Sequence, residues 1–245
     1  MKGLVRTIAR RELRAYFATP VAYVFIVIFV ALSGVFTFYL GNFFEREQAD
    51  LTPFFGFHPW LHLVLAPAVS MRLWAEERQT GSVELLMTLP VAAWQAVVGK
   101  FLAAWCFIGA ALALTFPIWI TVNYLGDPDN GVILAAYCGS LLMAGAYLAI
   151  GACISAACRS QVVAFVTTVV VCFAFLLAGF PLVLDAFAGW APEVLVDTIA
   201  SLGFLTHYNA ISKGVLDARD VIYFLLVMAA FLYANAIVLD LGRGN

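Results

Sequence analysis

Charged side chains are scarce in this sequence. Only 11% of its 245 residues are Asp, Glu, Lys or Arg, whereas 64% are hydrophobic. A soluble domain carries roughly 25% charged and 45–50% apolar residues, because its surface must be wetted. The scarcity of charge therefore excludes an ordinary soluble fold and indicates a lipid environment. The net charge of −2 gives no indication of a nucleic-acid partner.

Several chemical signatures are also missing. No G-x-x-x-x-G-K-[ST] motif is present to bind nucleotide phosphates. No acidic or basic residue lies near the middle of a predicted span, which disfavours a proton- or sodium-coupled carrier. We therefore expect no catalytic residue, cofactor or metal in this chain. Five cysteines lie in or beside apolar runs without CxxC spacing, and we interpret them as apolar filling: Cys106, Cys138, Cys153, Cys158 and Cys172.

Six apolar runs are long enough to cross a bilayer, which takes about 20 residues per helix. Since unpaired backbone groups are costly in lipid, each run predicts a helix, and together they predict one all-α transmembrane domain over residues 1–245. Prolines predict breaks in the second span at Pro59 and Pro67 and a bend in the third near Pro117, and neighbouring helices are expected to satisfy the backbone groups that these prolines leave unpaired. The predicted spans are 21–40, 54–72, 100–124, 131–157, 162–184 and 220–241.

The distribution of basic residues predicts the orientation. With the N-terminus inside, ten of the 13 Lys and Arg residues fall on the cytoplasmic side. Short cytoplasmic loops are enriched in Lys and Arg, so both termini are expected to be cytoplasmic.

The N-terminal segment 2–17 is basic and amphipathic. Four cations recur every four residues and form one stripe of a helix: Lys2, Arg6, Arg10 and Arg14. Such a helix is expected to lie in the headgroup layer, with its cations facing anionic lipid. The alternative is a charge cluster that only keeps the N-terminus inside.

Two longer segments lie outside the spans. The cytoplasmic one, 73–99, predicts a helix that leaves the membrane and ends at Gly81, then a short amphipathic helix up to Pro90 suited to a groove in a soluble partner. The alternative is an ordinary polar loop. The external segment, 185–219, is partly apolar and predicts short helices that lie against or dip into the outer leaflet. It either contacts a partner, gates an exit, or only stabilises the last two spans.

Two features within the spans are interpreted as structural contacts between helices. His58 and His62 are one helical turn apart, a spacing that can ligate a metal. Because no further ligand lies nearby in sequence, we interpret them as interface residues bonded to neighbouring groups. In the fourth span, small residues recur every four positions and adjoin Gly151 and Ser155, which indicates close helix packing within the subunit.

Three stretches resemble type-2 ABC transporter permeases, and more narrowly their gliding-motility-associated branch. They are RRELRAYFATPVAYVFIVIFVALSG (10–34), PAVSMRLWAEERQTGSVELLMTLPVAAWQAVVGKFLA (67–103) and FLTHYNAISKGVLDARDVIYFLLVMAAFLY (204–233). The resemblance implies a non-catalytic permease of the bacterial inner membrane that works as a dimer. It also implies a separate ATP-binding subunit that holds ATP and Mg²⁺, and a membrane-anchored auxiliary protein with a periplasmic domain.

The resemblance also implies two sets of site residues. The ATPase-coupling set is Glu76, Glu77, Arg78, Gly81, Glu84, Leu85, Leu86 and Pro90, with Lys100 matching at the start of the third span. The set for an external gate or partner is His207, Tyr208, Gly214, Asp217, Arg219 and Asp220. Export driven by ATP is the first functional interpretation. The alternatives are a mechanotransmission module that transports nothing and, less favoured, a secondary carrier.

Overall fold

The computed structural model describes residues 2–81, 92–188 and 192–241, which form helices joined by turns and loops, with no strand. The predicted all-α fold is confirmed. In chain order the helices are α1 (Lys2–Ala18), α2 (Pro20–Val35, continued by a π-helical turn, Phe36–Leu40), α3 (Thr52–Ser70), α4 (Ala75–Thr80), α5 (Ala93–Ala113), α6 (Phe116–Leu125), α7 (Asn130–Ala157), α8 (Gln161–Ala178), α9 (Pro181–Ala188), α10 (Glu193–Ser201), α11 (Phe204–Ser212) and α12 (Ala218–Leu241).

Within the described part of the chain, six helical segments are long and apolar enough to cross a bilayer, and each overlaps one predicted span. The fifth ends at Ala178 rather than at 184, because the chain turns at Gly179 and Pro181 opens a new helix, a position where proline is favoured. The observed spans are Pro20–Leu40, Thr52–Thr80, Ala93–Leu125, Asn130–Ala157, Gln161–Ala178 and Ala218–Leu241.

The prolines do not act alike. The predicted breaks at Pro59 and Pro67 are wrong, since α3 continues through both and ends only at Ser70. The predicted bend near Pro117 is confirmed: α5 ends at Ala113 and α6 begins at Phe116. A proline cannot donate to the carbonyl four residues earlier, so each one leaves a backbone acceptor that must be satisfied elsewhere.

α7 is the central helix and packs against α3, α5, α8, α11 and α12. Its small residues allow this approach. A Cβ on Gly151 would lie 2.0 Å from Oγ of Ser70 in α3, and one on Gly139 would lie 2.6 Å from Cγ2 of Ile211 in α11. The prediction of close packing is therefore confirmed. Because lipid tails are as apolar as the side chains, such contact area is what holds membrane helices together.

The spans divide into an inner pair and an outer group. The spans differ in how much of their most apolar 18-residue stretch is buried. In the spans that contain α3 and α7, 72% of this stretch is buried, whereas in the spans of α2, α8 and α12 the buried share is 28%, 22% and 17%. The outer helices expose Val, Leu and Ile side chains such as Val27, Val162 and Leu226. In a bilayer these faces are already in an apolar solvent, so their exposure is not destabilising.

α1 is packed against protein along one side. Ile8 contacts Gly99 in α5, and Tyr16 and Phe17 meet the ring of Phe107 at centroid distances of 5.2 and 5.7 Å. The contacts advance in the same direction along both helices, so α1 runs beside the first half of α5. The predicted amphipathic pattern is confirmed, since the arginines Arg6, Arg10 and Arg14 are exposed. The headgroup location remains a prediction.

Candidate coupling site

One end of the bundle, called here the α4 end, is organised around the turn Met71–Trp74 between α3 and α4. Helix starts leave backbone N–H groups without intrahelical acceptors, and no side chain at Trp74 caps α4. Ser155 on α7 supplies the acceptor. Its Oγ accepts from the backbone nitrogens of Trp74 (3.1 Å) and Ala75 (3.0 Å), and donates to the carbonyl of Met71 (3.0 Å).

Lys100, near the start of α5, is the buried cation of this end. It is 3% exposed, and its Nζ lies 2.6 Å from Oε1 of Glu77 and 3.7 Å from Oε2 of Glu12. Nζ also donates to the carbonyl of Leu73 at 3.0 Å and lies 4.9 Å from the ring centre of Trp74. One ammonium group therefore ties α1, the turn and α4 to α5, with the donors of an ammonium well occupied.

A polar cleft of about 380 Å³ opens beside Lys100. Arg72 and Glu76 form an i,i+4 ion pair on its wall, with Nε and Oε2 3.2 Å apart. Tyr16 of α1 lines the same cleft, and burial, reinforced by the Glu12 carboxylate, raises the pKa of its phenol. Tyr16 therefore stays neutral and can donate a hydrogen bond; its hydroxyl lies 3.4 Å from the carbonyl of Val69.

The described part of the predicted coupling set lies at this end. Glu76, Glu77 and Arg78 are on α4, and Gly81 follows it with φ of +73°, a left-handed conformation that favours glycine. The predicted helix end at Gly81 is confirmed. The remaining predicted residues, Glu84, Leu85, Leu86 and Pro90, lie outside the described residues.

Internal partners explain two of the acids in the coupling segment. Glu77 pairs with Lys100 and Glu76 with Arg72. An external basic groove is therefore not needed to account for these carboxylates. Sequence reasoning missed Glu12 and the role of Ser155. The sequence does single out Lys100, because it is the one charged residue of the apolar helix α5.

The opposite end, called here the α11 end, contains the predicted external set in two groups. His207, Tyr208 and Asp220 are buried, whereas Gly214, Asp217 and Arg219 are exposed. Gly214 has φ of +86° and closes the turn after α11. The backbone nitrogen of Arg219 donates to Oδ1 of Asp217, which caps α12. Only the exposed group can contact a partner directly.

His207 joins three helices at the α11 end. Its Nδ1 lies 2.6 Å from Oδ1 of Asp220 on α12, and its Nε2 lies 2.9 Å from the carbonyl of Ser201 at the end of α10. The two oxygens therefore hold the ring from opposite sides and join α11 to α10 and α12. The ring also stacks on Tyr223 at a centroid distance of 3.9 Å.

Tyr208 satisfies a backbone carbonyl that Pro59 leaves without a donor. The carbonyl that Pro59 cannot engage is that of Phe55, four residues earlier. The hydroxyl of Tyr208 donates to this oxygen at 2.9 Å. This contact explains why α3 continues through Pro59, and it attaches α11 to the inner pair of spans.

His58 and His62 share one serine. Nδ1 of His58 lies 2.7 Å from Oγ of Ser140, and Nε2 of His62 lies 2.9 Å from the same atom. The interpretation as interface residues bonded to a neighbouring helix is confirmed. Across residues 2–81, 92–188 and 192–241 no group of three or more His, Cys, Asp or Glu residues is placed to hold a metal ion.

Across the described residues, six apolar spans, with α7 at their centre, are typical of a multi-pass α-helical membrane protein. A family model described as "ABC-2 family transporter protein" matches residues 6–241. The chain therefore belongs to the ABC-2 family of transporters, whose members are membrane components of transporters and normally non-catalytic. No curated protein matches the chain.

Proposed function

We propose that this chain is the permease subunit of an ATP-driven transporter of the bacterial cytoplasmic membrane. A separate ATP-binding subunit hydrolyses ATP, and the α4 end converts its motion into a movement of the spans. The observation that carries this proposal is the Lys100 cluster. It connects α4, which precedes the segment 82–91, to α1 and to α5, which follows that segment.

The cluster gives the α4 end the stiffness that coupling requires. Lys100 is held by two carboxylates, a backbone carbonyl and an aromatic face, so α4 cannot shift without displacing α5 or breaking a buried ion pair. Breaking such a pair by removing one partner typically costs about 3–5 kcal/mol. A push on the segment between α4 and α5 is therefore passed on to the third span.

The wider assembly is part of the proposal. ATP and Mg²⁺ are bound by the partner subunit, in keeping with the absence of a phosphate-binding motif from this sequence. Two permease copies form the pathway, and a membrane-anchored auxiliary protein with a periplasmic domain joins them. The resemblance to the gliding-motility-associated branch supports the auxiliary partner. The exposed turn around Asp217 and Arg219 supplies a surface for it.

Affinity purification from native membranes tests the proposal. We expect an ATP-binding subunit to copurify, and vanadate-sensitive ATP hydrolysis to require both chains. We expect Glu84 to face a basic groove on the ATP-binding subunit, so Glu84→Lys would place like charges together and should weaken copurification or abolish stimulated turnover. Glu45→Lys, an exposed acid in the loop between α2 and α3, is the matched control and should change neither. Full association and turnover in Glu84→Lys would contradict this route of coupling.

Export and mechanotransmission differ in whether anything crosses the membrane. The exposed Val215 and Leu216, 60% and 59% exposed in the turn after α11, favour a working contact with a periplasmic partner. Flux in proteoliposomes above that of an ATPase-dead control supports export. ATP turnover that depends on the auxiliary protein, without flux, supports mechanotransmission.

A further inference from the structure

The turn between α3 and α4 has little internal support. Residues Met71–Trp74 separate two helices that together form one candidate span, Thr52–Thr80. Within the turn, the backbone nitrogen of Leu73 bonds to the carbonyl of Ser70, but the helix that follows has no side-chain cap of its own. The start of α4 therefore depends on contacts from other parts of the fold.

Ser155 supplies that contact from a different span. Its Oγ makes three hydrogen bonds, all to backbone atoms of the turn or of the first residue of α4, at 3.0 to 3.1 Å. The side chain is 0% exposed. A buried hydroxyl with one donor and two acceptor sites is fully used by these three bonds. No water or movement of the side chain is needed to complete the arrangement.

The surrounding packing fixes the position of Ser155. One turn before it on α7, Gly151 approaches Ser70, the last residue of α3, so closely that a Cβ would lie 2.0 Å from Oγ of Ser70. The ends of α3 and α7 are thus in contact on both sides of the turn. A shift of α7 that carried Ser155 away from the backbone of Trp74 would therefore also separate Gly151 from Ser70.

We propose that Ser155 is a positioning residue that fixes the α4 turn to α7, so that displacement of the coupling segment is passed to the central span. This proposal deepens, and rests on, the proposed coupling function. Lys100 connects α4 to the third span, and Ser155 connects the same element to the fourth. Besides α4, the central helix contacts five described helices, so a displacement that reaches α7 is distributed through the bundle.

Hydrogen exchange of the isolated chain in nanodiscs tests the local contact. In Ser155→Ala, the amide hydrogens of Trp74 and Ala75 lose their acceptor and should exchange roughly tenfold faster. Ser155→Cys, with a weak sulfur donor and acceptor, should fall between Ser and Ala. Unchanged exchange at these two amides in Ser155→Ala overturns the proposal.

Ser33→Ala is the matched control for this measurement. Ser33 is also buried, but its hydroxyl donates to the carbonyl of Phe29 within its own helix. Exchange at Trp74 and Ala75 should be unchanged in this variant. Acceleration of both amides in Ser33→Ala, or equal acceleration throughout α7 in Ser155→Ala, shows general loosening of the fold and overturns a specific role for Ser155.

Nucleotide-dependent exchange in the purified complex tests transmission. In the wild type, trapping with ATP and vanadate should change exchange in two peptides, one covering 71–80 and one covering the end of α7. In Ser155→Ala only the first should respond, with the ATP-binding subunit still bound. A wild-type-like response of α7 in Ser155→Ala overturns the proposal. Absence of any copurifying ATP-binding subunit instead contradicts the coupling function, and the exchange of Trp74 and Ala75 still tests the contact itself.

Discussion

The two ends of the bundle are held together by different chemistry. At the α4 end, charged side chains and one hydroxyl connect α1, α4, α5 and α7 around a turn whose Leu73 and Trp74 are buried. At the α11 end, a short helix is buried by aromatic rings, and its two buried polar side chains, His207 and Tyr208, are hydrogen-bonded. The buried polar contacts of the α4 end join α4 to α5 and α7, so these elements move together, whereas the aromatic packing of the α11 end holds one short helix between the spans. The α4 end is therefore suited to transmit movement, and the α11 end to stay fixed.

Loss of the Lys100 ammonium should have the largest effect. Lys100→Met keeps much of the side-chain volume but leaves Glu77 and Glu12 without their buried cation, and a broken buried pair costs about 3 kcal/mol or more. We expect a lower thermal unfolding midpoint in detergent and faster proteolysis near α4. Lys213→Met, an exposed lysine at the α11 end, should leave both unchanged.

The double variant Lys100→Met with Glu77→Met sharpens this test. Replacing both members of a buried pair with apolar residues removes the uncompensated charge, and such replacements are often neutral. Partial recovery of the unfolding midpoint is expected, limited by Glu12, which keeps its carboxylate. If Lys100→Met alone is as stable as the wild type, the ion-pair cluster does not hold the α4 end.

Removal of the Tyr208 hydroxyl tests the fixed end. Tyr208→Phe keeps the ring but leaves the carbonyl of Phe55 without its donor, and an unsatisfied buried acceptor costs about 1–3 kcal/mol. We expect a lower unfolding midpoint without the faster proteolysis near α4 that is expected for Lys100→Met. Tyr233→Phe, at an exposed tyrosine of α12, is the control.

Substitution of Pro59 tests whether the Tyr208 hydroxyl stabilises the fold because Pro59 cannot donate to the carbonyl of Phe55. With Pro59→Ala the residue at 59 regains an N–H group and can donate to Phe55, so the loss of the Tyr208 hydroxyl should matter less. A thermodynamic cycle over the two positions measures this dependence. Strictly additive effects would show that Tyr208 and Pro59 act independently.

Most of the fold follows from local sequence, and most of the site does not. The six spans are predicted by continuous apolar runs, and the end of α4 is predicted by Gly81. Both features depend only on neighbouring residues, because span length and a left-handed φ are local requirements. Lys100 and Glu12 meet only because α1 runs beside α5, and Ser155 meets Trp74 only because α3 and α7 cross closely. His58 and His62 show their helical spacing, but their common partner Ser140 belongs to another span. The error at Pro59 has the same origin, because Tyr208 is far away in sequence.

Neutralising Asp220 should have a smaller effect, confined to the α11 end. In Asp220→Asn the amide oxygen can still accept from Nδ1 of His207, but the negative charge of the carboxylate is lost. Hydrogen bonds to charged groups are worth about 1.5–3 kcal/mol and neutral ones about 1, so a loss of about 1 kcal/mol is expected. Proteolysis of the loops around α10 should accelerate slightly. Asp197→Asn, an exposed acid on α10, should have no effect, and equal effects of the two would contradict a special role for the His207 pair.

The smallest effect is expected where the α4 end faces water. Glu76 is 46% exposed in its pair with Arg72, and exposed i,i+4 pairs contribute about 0.3–0.5 kcal/mol. Glu76→Gln should therefore lower the unfolding midpoint only slightly. In 0.5 M salt this small difference from the wild type should disappear, since exposed charges are screened. Glu77→Gln, one residue later and paired with buried Lys100, should destabilise more and depend less on salt. Because the two residues are adjacent on one short helix, their difference isolates burial as the cause. Equal shifts with equal salt dependence would show that the α4 end is held by its surface charges rather than by the buried cation.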